Sequence, residues 1–331
     1  MKYSLKIFFR NRETLFWTIM FPIALLFLLS NSFSGGTTIK LYSDNEQIVD
    51  FFNRDNIEIV RVSEPFESLK NKEIDVYVDD HGDVYSYKAD VKANIIKTNM
   101  DIWKRFQYDP IASMNVMERM KNSKSGFTNF GFNQMLFAVL VMTAFYSAYG
   151  ALDVAANLNL KTSYLAVRTL ASPKSRLAIL LESSVSGILT SFLPIISSSL
   201  FAIYVIGFNG FTNVWGSCAL LFVALLYGFG FGLFLGMTNI GMGAANGIIV
   251  AYMISMGSMA GMNGPNLTAY LVEHAGILLK LDPLYLVTKN LNMINSFNRL
   301  NYAEVGGVLA ASIILIVFSA WRLKEKRYDS I

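Results

Sequence analysis

Cysteine, histidine and charge are all scarce in this 331-residue chain. A single cysteine, Cys218, excludes an internal disulfide, and its neighbours (WGSCALLF) mark it as a small packing residue within an apolar helix. Only two histidines exist, His81 and His274, and no ligand spacing links them, so the residues supply no frame for a metal site. No paired nucleophile and base stands out either, and no catalytic or cofactor-binding residue is assigned. The sequence Gly-x-x-x-x-Gly-Lys-Ser/Thr is absent, which excludes ATP hydrolysis through that loop by this chain alone. Charged residues are 16% of the chain and hydrophobic ones 53%, far to the apolar side of a soluble domain. The net charge of +4 is small and scattered, without a basic run carrying interleaved aromatics, which argues against a nucleic-acid partner.

What the chain has in abundance is long apolar runs. Six approach the roughly twenty residues that cross a bilayer: Leu15 to Phe33, Phe132 to Leu152, Leu177 to Ile206, Trp215 to Met237, Gly243 to Met262, and Tyr302 to Trp321. The third overshoots a hydrocarbon layer of about 30 Å, so it is expected to tilt, or to kink at Pro194.

Residues 1–14 (MKYSLKIFFRNRET) read as an amphipathic interfacial helix. Lys2, Lys6 and Arg10 share a stripe at i, i+4 spacing, with Arg12 beyond, and Met1, Leu5, Phe8 and Phe9 fill the adjoining face. Attraction to anionic lipid of about 1 kcal/mol per basic residue holds such a segment on the cytoplasmic surface. The same start also fits a secretory leader, although its apolar run is nearer a full span than a leader's core. In either case the residues that follow are delivered outside.

Basic residues set the orientation. Lys161, Arg168, Lys174 and Arg176 lie between the second and third runs, and Arg322, Lys324, Lys326 and Arg327 follow the sixth. The loop GFNGFTNV between the third and fourth has none. The positive-inside rule therefore expects a multi-pass protein of the cell membrane with both termini cytoplasmic and residues 34–131 extracytoplasmic.

That polar block alternates strand and helix patterns: TTIKLYS, NIEIVRVS, IDVYVDD and DVYSYKA as strands, NEQIVDFFNRD as a helix, and EPFESLKNK as a short helix capped by Ser63. A small α/β module is expected, followed by a helical region from about Val91 to Asn122 broken at Asp109-Pro110. Residues 132–331 then form a five-span unit with a cytoplasmic connection at 153–176 and an outer interfacial segment at 263–301. The fold class is thus an α-helical polytopic membrane protein of six transmembrane helices, with an N-terminal elbow helix and an extracytoplasmic α/β domain between spans one and two.

Three groups of residues invite a role. In the connection NLNLKTSYLAVRTLASPKSRLAILLES, Tyr164, Leu165, Arg168 and Leu170 form a short apolar and basic helix ended at Pro173, with Arg176 anchoring the next span; a plain cytosolic loop reads the same way. In LLYGFGFGLFLGM, Gly228, Gly232 and Gly236 recur every four residues, a smooth face for helix packing within the chain or for a dimer seam. On the third run, Glu182, Ser186 and Thr190 are candidates for a pathway, although hydroxyls also satisfy themselves on the preceding turn.

The order of basic elbow, FWTIMFP span, outward α/β block and a cytoplasmic loop ending TLASPKSRLAILLES resembles the membrane (permease) subunit of a type-2 ABC transporter, of the drug and lipid exporter kind. In that family the loop is a coupling helix that docks on an ATPase subunit; the match falls on Leu165, Arg168, Leu170, Ala171, Ser172, Pro173, Ser175 and Arg176. Where family members often carry an acidic residue and glycine ahead of the coupling helix, this chain has Lys161-Thr162-Ser163, and near the start of span three it has Glu182 in place of a basic residue. The resemblance implies a permease that exports a hydrophobic or amphipathic substrate such as a drug, lipid or peptide. It further implies two copies of an ABC ATPase that bind ATP and Mg, a second permease chain, identical or paralogous, and no enzymatic activity or cofactor in this chain by itself. Ion extrusion by the same architecture, or a membrane sensor with an outward ligand-binding domain, are the alternatives.

Overall fold

The computed structural model describes residues 16–34, 39–52, 57–87, 93, 96–97, 100, 129–158, 175–238, 240–263 and 265–325. The described residues are mostly helical, with a four-stranded sheet in the polar block.

A π-helical turn at Phe16–Met20 leads into α1 (Phe21–Ser34), an apolar helix without a charged residue in its first or last turn. The α/β unit follows as β1 (Ile39–Ser43), α2 (Glu46–Phe52), β2 (Ile57–Ile59), α3 (Pro65–Lys70), β3 (Val76–Val78) and β4 (Val84–Tyr85). The strands lie in the order β2-β1-β3-β4, the first three parallel and β4 antiparallel to β3. Parallel neighbours require crossover connections, and α2 and α3 supply them. Every side chain of β3 is buried, as expected of an inner strand covered on both faces. One face packs Leu41, Val76 and Val78 against Ile48, Phe51 and Phe52 of α2 and against Ala93, Ile96 and Met100. The other packs Tyr77 with Leu69 and Ile74. The β3-β4 turn closes on Asp79, whose Oδ1 accepts from the His81 and Asp83 amides, while Gly82 takes a positive φ of 76°.

Ser63 does not cap α3. Pro65 occupies the first turn, which moves the N-cap to Glu64, and no side chain caps the helix there.

The remaining described chain forms α4 (Asn129–Phe145), α5 (Ser147–Ala156), α6 (Arg176–Tyr204), α7 (Val214–Met237), α8 (Met242–Met259), α9 (Pro265–His274), α10 (Gly276–Leu281), α11 (Pro283–Phe297) and α12 (Tyr302–Glu325). Five helical stretches among the described residues are long and apolar enough to cross a membrane: 133–156, 178–204, 214–237, 242–259 and 302–322. The apolar helix at 18–28 is shorter. α4 and α5 are nearly one helix, interrupted at Tyr146, and they are enclosed by α6, α7 and α11. α7 lies between α5 and α12. α6 continues through Pro194 without a break.

The outer surface of this bundle is apolar. Leu181, Val185, Leu189, Ile196, Leu200 and Ile203 are exposed along α6, as are Ile313, Ile314, Val317 and Trp321 along α12. Water would penalise such stripes, whereas hydrocarbon solvates them. The architecture is compatible with a polytopic membrane protein.

Two residues sit differently from their sequence expectation. Cys218 is exposed on the first turns of α7 instead of packed. The second apolar run continues as helix to Ala156, so Asp153, where composition ends the run, belongs to the helix.

Candidate functional site

The three glycines spaced four apart on α7 all face α4 and α5. A Cβ on Gly228 would lie 2.7 Å from the Phe145 carbonyl oxygen, one on Gly232 2.0 Å from that of Ala148, and one on Gly236 2.4 Å from the Ala155 Cβ. Only glycine admits this backbone-to-backbone approach. The Ser147 hydroxyl uses it to donate to the Leu225 carbonyl at 2.7 Å. Gly230, on the opposite side of α7, faces the Ser312 carbonyl of α12, where a Cβ would stand at 2.9 Å. The α5-α7-α12 slab is therefore held through close main-chain contact.

A polar network joins α11 to the ends of α7 and α12. Asn295 Nδ2 donates to the Ser217 hydroxyl at 2.8 Å, and Asn295 Oδ1 accepts from the Asn213 amide at 2.9 Å. The Thr212 hydroxyl donates to the Asn295 carbonyl. Lys289 pairs with Glu304 at 2.6 Å, and Asn290 Nδ2 donates to the other oxygen of that carboxylate at 2.9 Å. The residues lie about eighty positions apart in sequence between α7 and α11, and no periodicity announces them. Asn298 ends α11 in the left-handed region at φ 52°.

Asp282 caps α11, its Oδ1 accepting from the Leu284 amide at 2.9 Å, while its Oδ2 has no hydrogen-bond partner among the described residues. It is 1% exposed, and burial pushes its carboxyl up to about 7 against the pull of the Leu284 and Tyr285 amides. Inward of it, the hydroxyls of Tyr227 and Tyr252 meet at 2.9 Å, and the Tyr252 ring stacks on Phe145 and Phe231.

On α6, Glu182 is exposed, Ser186 is buried with a hydroxyl that has no hydrogen-bond partner among the described residues, and Thr190 donates to the Ser186 and Gly187 carbonyls of its own helix. Thr190 borders a small notch between three apolar helices, lined also by Thr18, Tyr146, Tyr149, Asp153 and Ser191. Glu182 and Ser186 do not line it. Composition makes Asp153 the first residue of the cytoplasmic connection and gives it no role; the structure places it on α5.

His81 sits in the β3-β4 turn and His274 at the end of α9, where its Nδ1 lies 3.1 Å from the Tyr270 carbonyl oxygen. Among the described residues no three His, Cys, Asp or Glu side chains gather where they could hold a metal ion. Lys2, Lys6, Arg10 and Arg12 of the elbow, and Tyr164, Leu165, Arg168, Leu170 and Pro173 of the connection, lie outside the described residues, as do Asp109 and Pro110. Arg176 opens α6. No protein-family model, curated protein or solved structure matches this chain.

Proposed function

We propose that this chain is the membrane-spanning permease subunit of an ATP-driven exporter, paired with a second permease chain and driven by two copies of a separate ATPase. The observation that carries the reading is the order of elements: a short apolar helix, an α/β unit, and then five long apolar helices, the last preceded by three shorter ones. The basic connection between α5 and α6, with its resemblance to a coupling helix, supplies the contact for the ATPase.

In this reading ATP-driven closure of the ATPases pushes on residues 159–174 and moves the two helices that the connection joins. The α5-α7-α12 slab, locked by its glycine contacts, travels as one body. α6, like α8 and α12, presents most of its surface outside the bundle, and as the helix that the connection enters it slides against the slab or against a second permease chain. The cargo is hydrophobic or amphipathic, and the outward α/β unit lies on the exit side. Orientation in the cell membrane with both termini cytoplasmic follows from the basic residues of the connections.

The test is a paired purification from native membranes in mild detergent, using the tagged chain and its Arg168→Glu, Leu170→Asp variant. A P-loop ATPase accompanying the unaltered chain, and lost from the variant at equal membrane content, supports the proposal; an unchanged association removes the coupling assignment.

A further inference from the structure

The carboxylate of Asp153 stands in a helix long and apolar enough to span a membrane, with no counter-charge among the described residues. It is exposed to the notch, and among the described residues it forms no ion pair and no side-chain hydrogen bond. A bare carboxylate beside hydrocarbon is disfavoured even one turn from a helix end, so a site that keeps one charged suits a cation.

The walls agree with that sign. Thr190 and Ser191 spend their hydroxyl hydrogens on carbonyls of their own helix, Thr190 on Gly187 at 2.9 Å and Ser191 on Gly187 at 2.8 Å. Their oxygens therefore keep only lone pairs for the notch, as acceptors. Tyr146 and Tyr149, whose rings stack with centroids 5.8 Å apart, form an aromatic border, a surface that attracts cations through its π faces. Space selects among cations. The notch holds about 30 Å³, room for a group the size of one or two water molecules and not for a whole drug. Its exposed member is Asp153, three residues or about 4.5 Å before the helix ends at Ala156. A free metal cation would have to shed its water beside lipid. An amphiphile brings its charge there with its chain already dissolved in the hydrocarbon.

We propose that this notch is a binding site for the protonated primary amine of an amphiphile: one N–H donates to Asp153, others to the Thr190 and Ser191 oxygens, and the tail remains in the bilayer. The inference goes beyond the exporter reading and requires only that these helices lie in a membrane, so it stands or falls independently of any ATPase. The amine comes either from a free lipophilic amine or from the ethanolamine headgroup of a lipid.

The experiment is equilibrium binding of monodansylcadaverine, a fluorescent primary amine, to the full chain in phosphatidylcholine nanodiscs. The site predicts saturable binding, weakened at least about tenfold by Asp153→Asn and largely restored by Asp153→Glu. Thr190→Val, which keeps the side-chain shape and removes one acceptor, weakens binding by a smaller factor, and each variant is scored only after its elution and unfolding profile match the parent. The N-acetylated probe, which has lost the charge, does not bind. Repeating the titration in discs containing phosphatidylethanolamine separates the sources: competition by the lipid identifies the headgroup as occupant, and undiminished binding identifies a free amine. Equal binding of the acetylated probe, or unchanged affinity in both Asp153→Asn and Thr190→Val, overturns the proposal.

Discussion

Gly232 and Ala148 hold two helices at backbone contact: a Cβ built on the glycine would lie 2.0 Å from the alanine carbonyl oxygen. Because the obstacle is main chain, no side-chain rotation relieves it, and a substitution must push α7 away from α5. Gly232→Val is expected to destabilise the protein by more than the about 1 to 3 kcal/mol of ordinary overpacking. Gly247→Ala on α8, where nothing lies within 4 Å, is expected to leave stability unchanged or slightly raised. Thermal unfolding of the two purified variants, followed by tryptophan fluorescence, separates these outcomes.

The Asn295 side chain couples α11 to α7 through Ser217 and the Asn213 amide. Asn295→Leu leaves buried partners unsatisfied and is expected to cost about 1 to 3 kcal/mol. In a double-mutant cycle with Ser217→Ala the two changes are expected to be non-additive by about 1 kcal/mol, since Asn295 and Ser217 share one bond. Additive effects would show that the bond contributes nothing to stability.

Asp282 gives stability a dependence on pH with a definite sign. Its carboxyl is raised from 3.8 to about 7 by burial, so between those values the folded chain retains a proton that the unfolded chain has released. This contribution is present in full below about pH 4, declines as pH rises through the window, and is lost above about 7. Asp282→Asn retains a good N-cap and removes the titration. The variant is expected to gain on the parent as pH rises from 5 to 8, measured as the difference in unfolding midpoint in detergent. A constant difference across that range would contradict the assignment.

The long apolar runs were readable because hydropathy is summed over about twenty residues, so single exceptions do not hide them. The strands of the α/β unit were readable through their alternation, as in Ile39, Leu41 and Ser43, buried on one side, with Lys40 exposed between them. Local boundaries were harder. Asp153 ended a run by composition, yet the helix continues because backbone hydrogen bonding does not stop at one charged side chain that can reach a notch. Ser63 looked like a cap by residue type, but Pro65 fixes where the helix begins. The candidate site was legible in part. Thr190 was singled out as a hydroxyl on a long apolar helix, while its neighbours Thr18, Tyr146 and Tyr149 come from other helices and become neighbours only on packing. The network around Asn213, Ser217, Asn290 and Asn295 was invisible for the same reason: its spacing belongs to no helix or strand period.

The central claim is that the chain works as the permease part of an ATP-driven assembly, and the mass of the intact particle tests it most directly. Native mass spectrometry of the complex released from its own membranes in mild detergent is expected to find two permease chains bound to two P-loop ATPases. A particle containing this chain alone, or this chain with a partner that lacks a P-loop, would contradict the account.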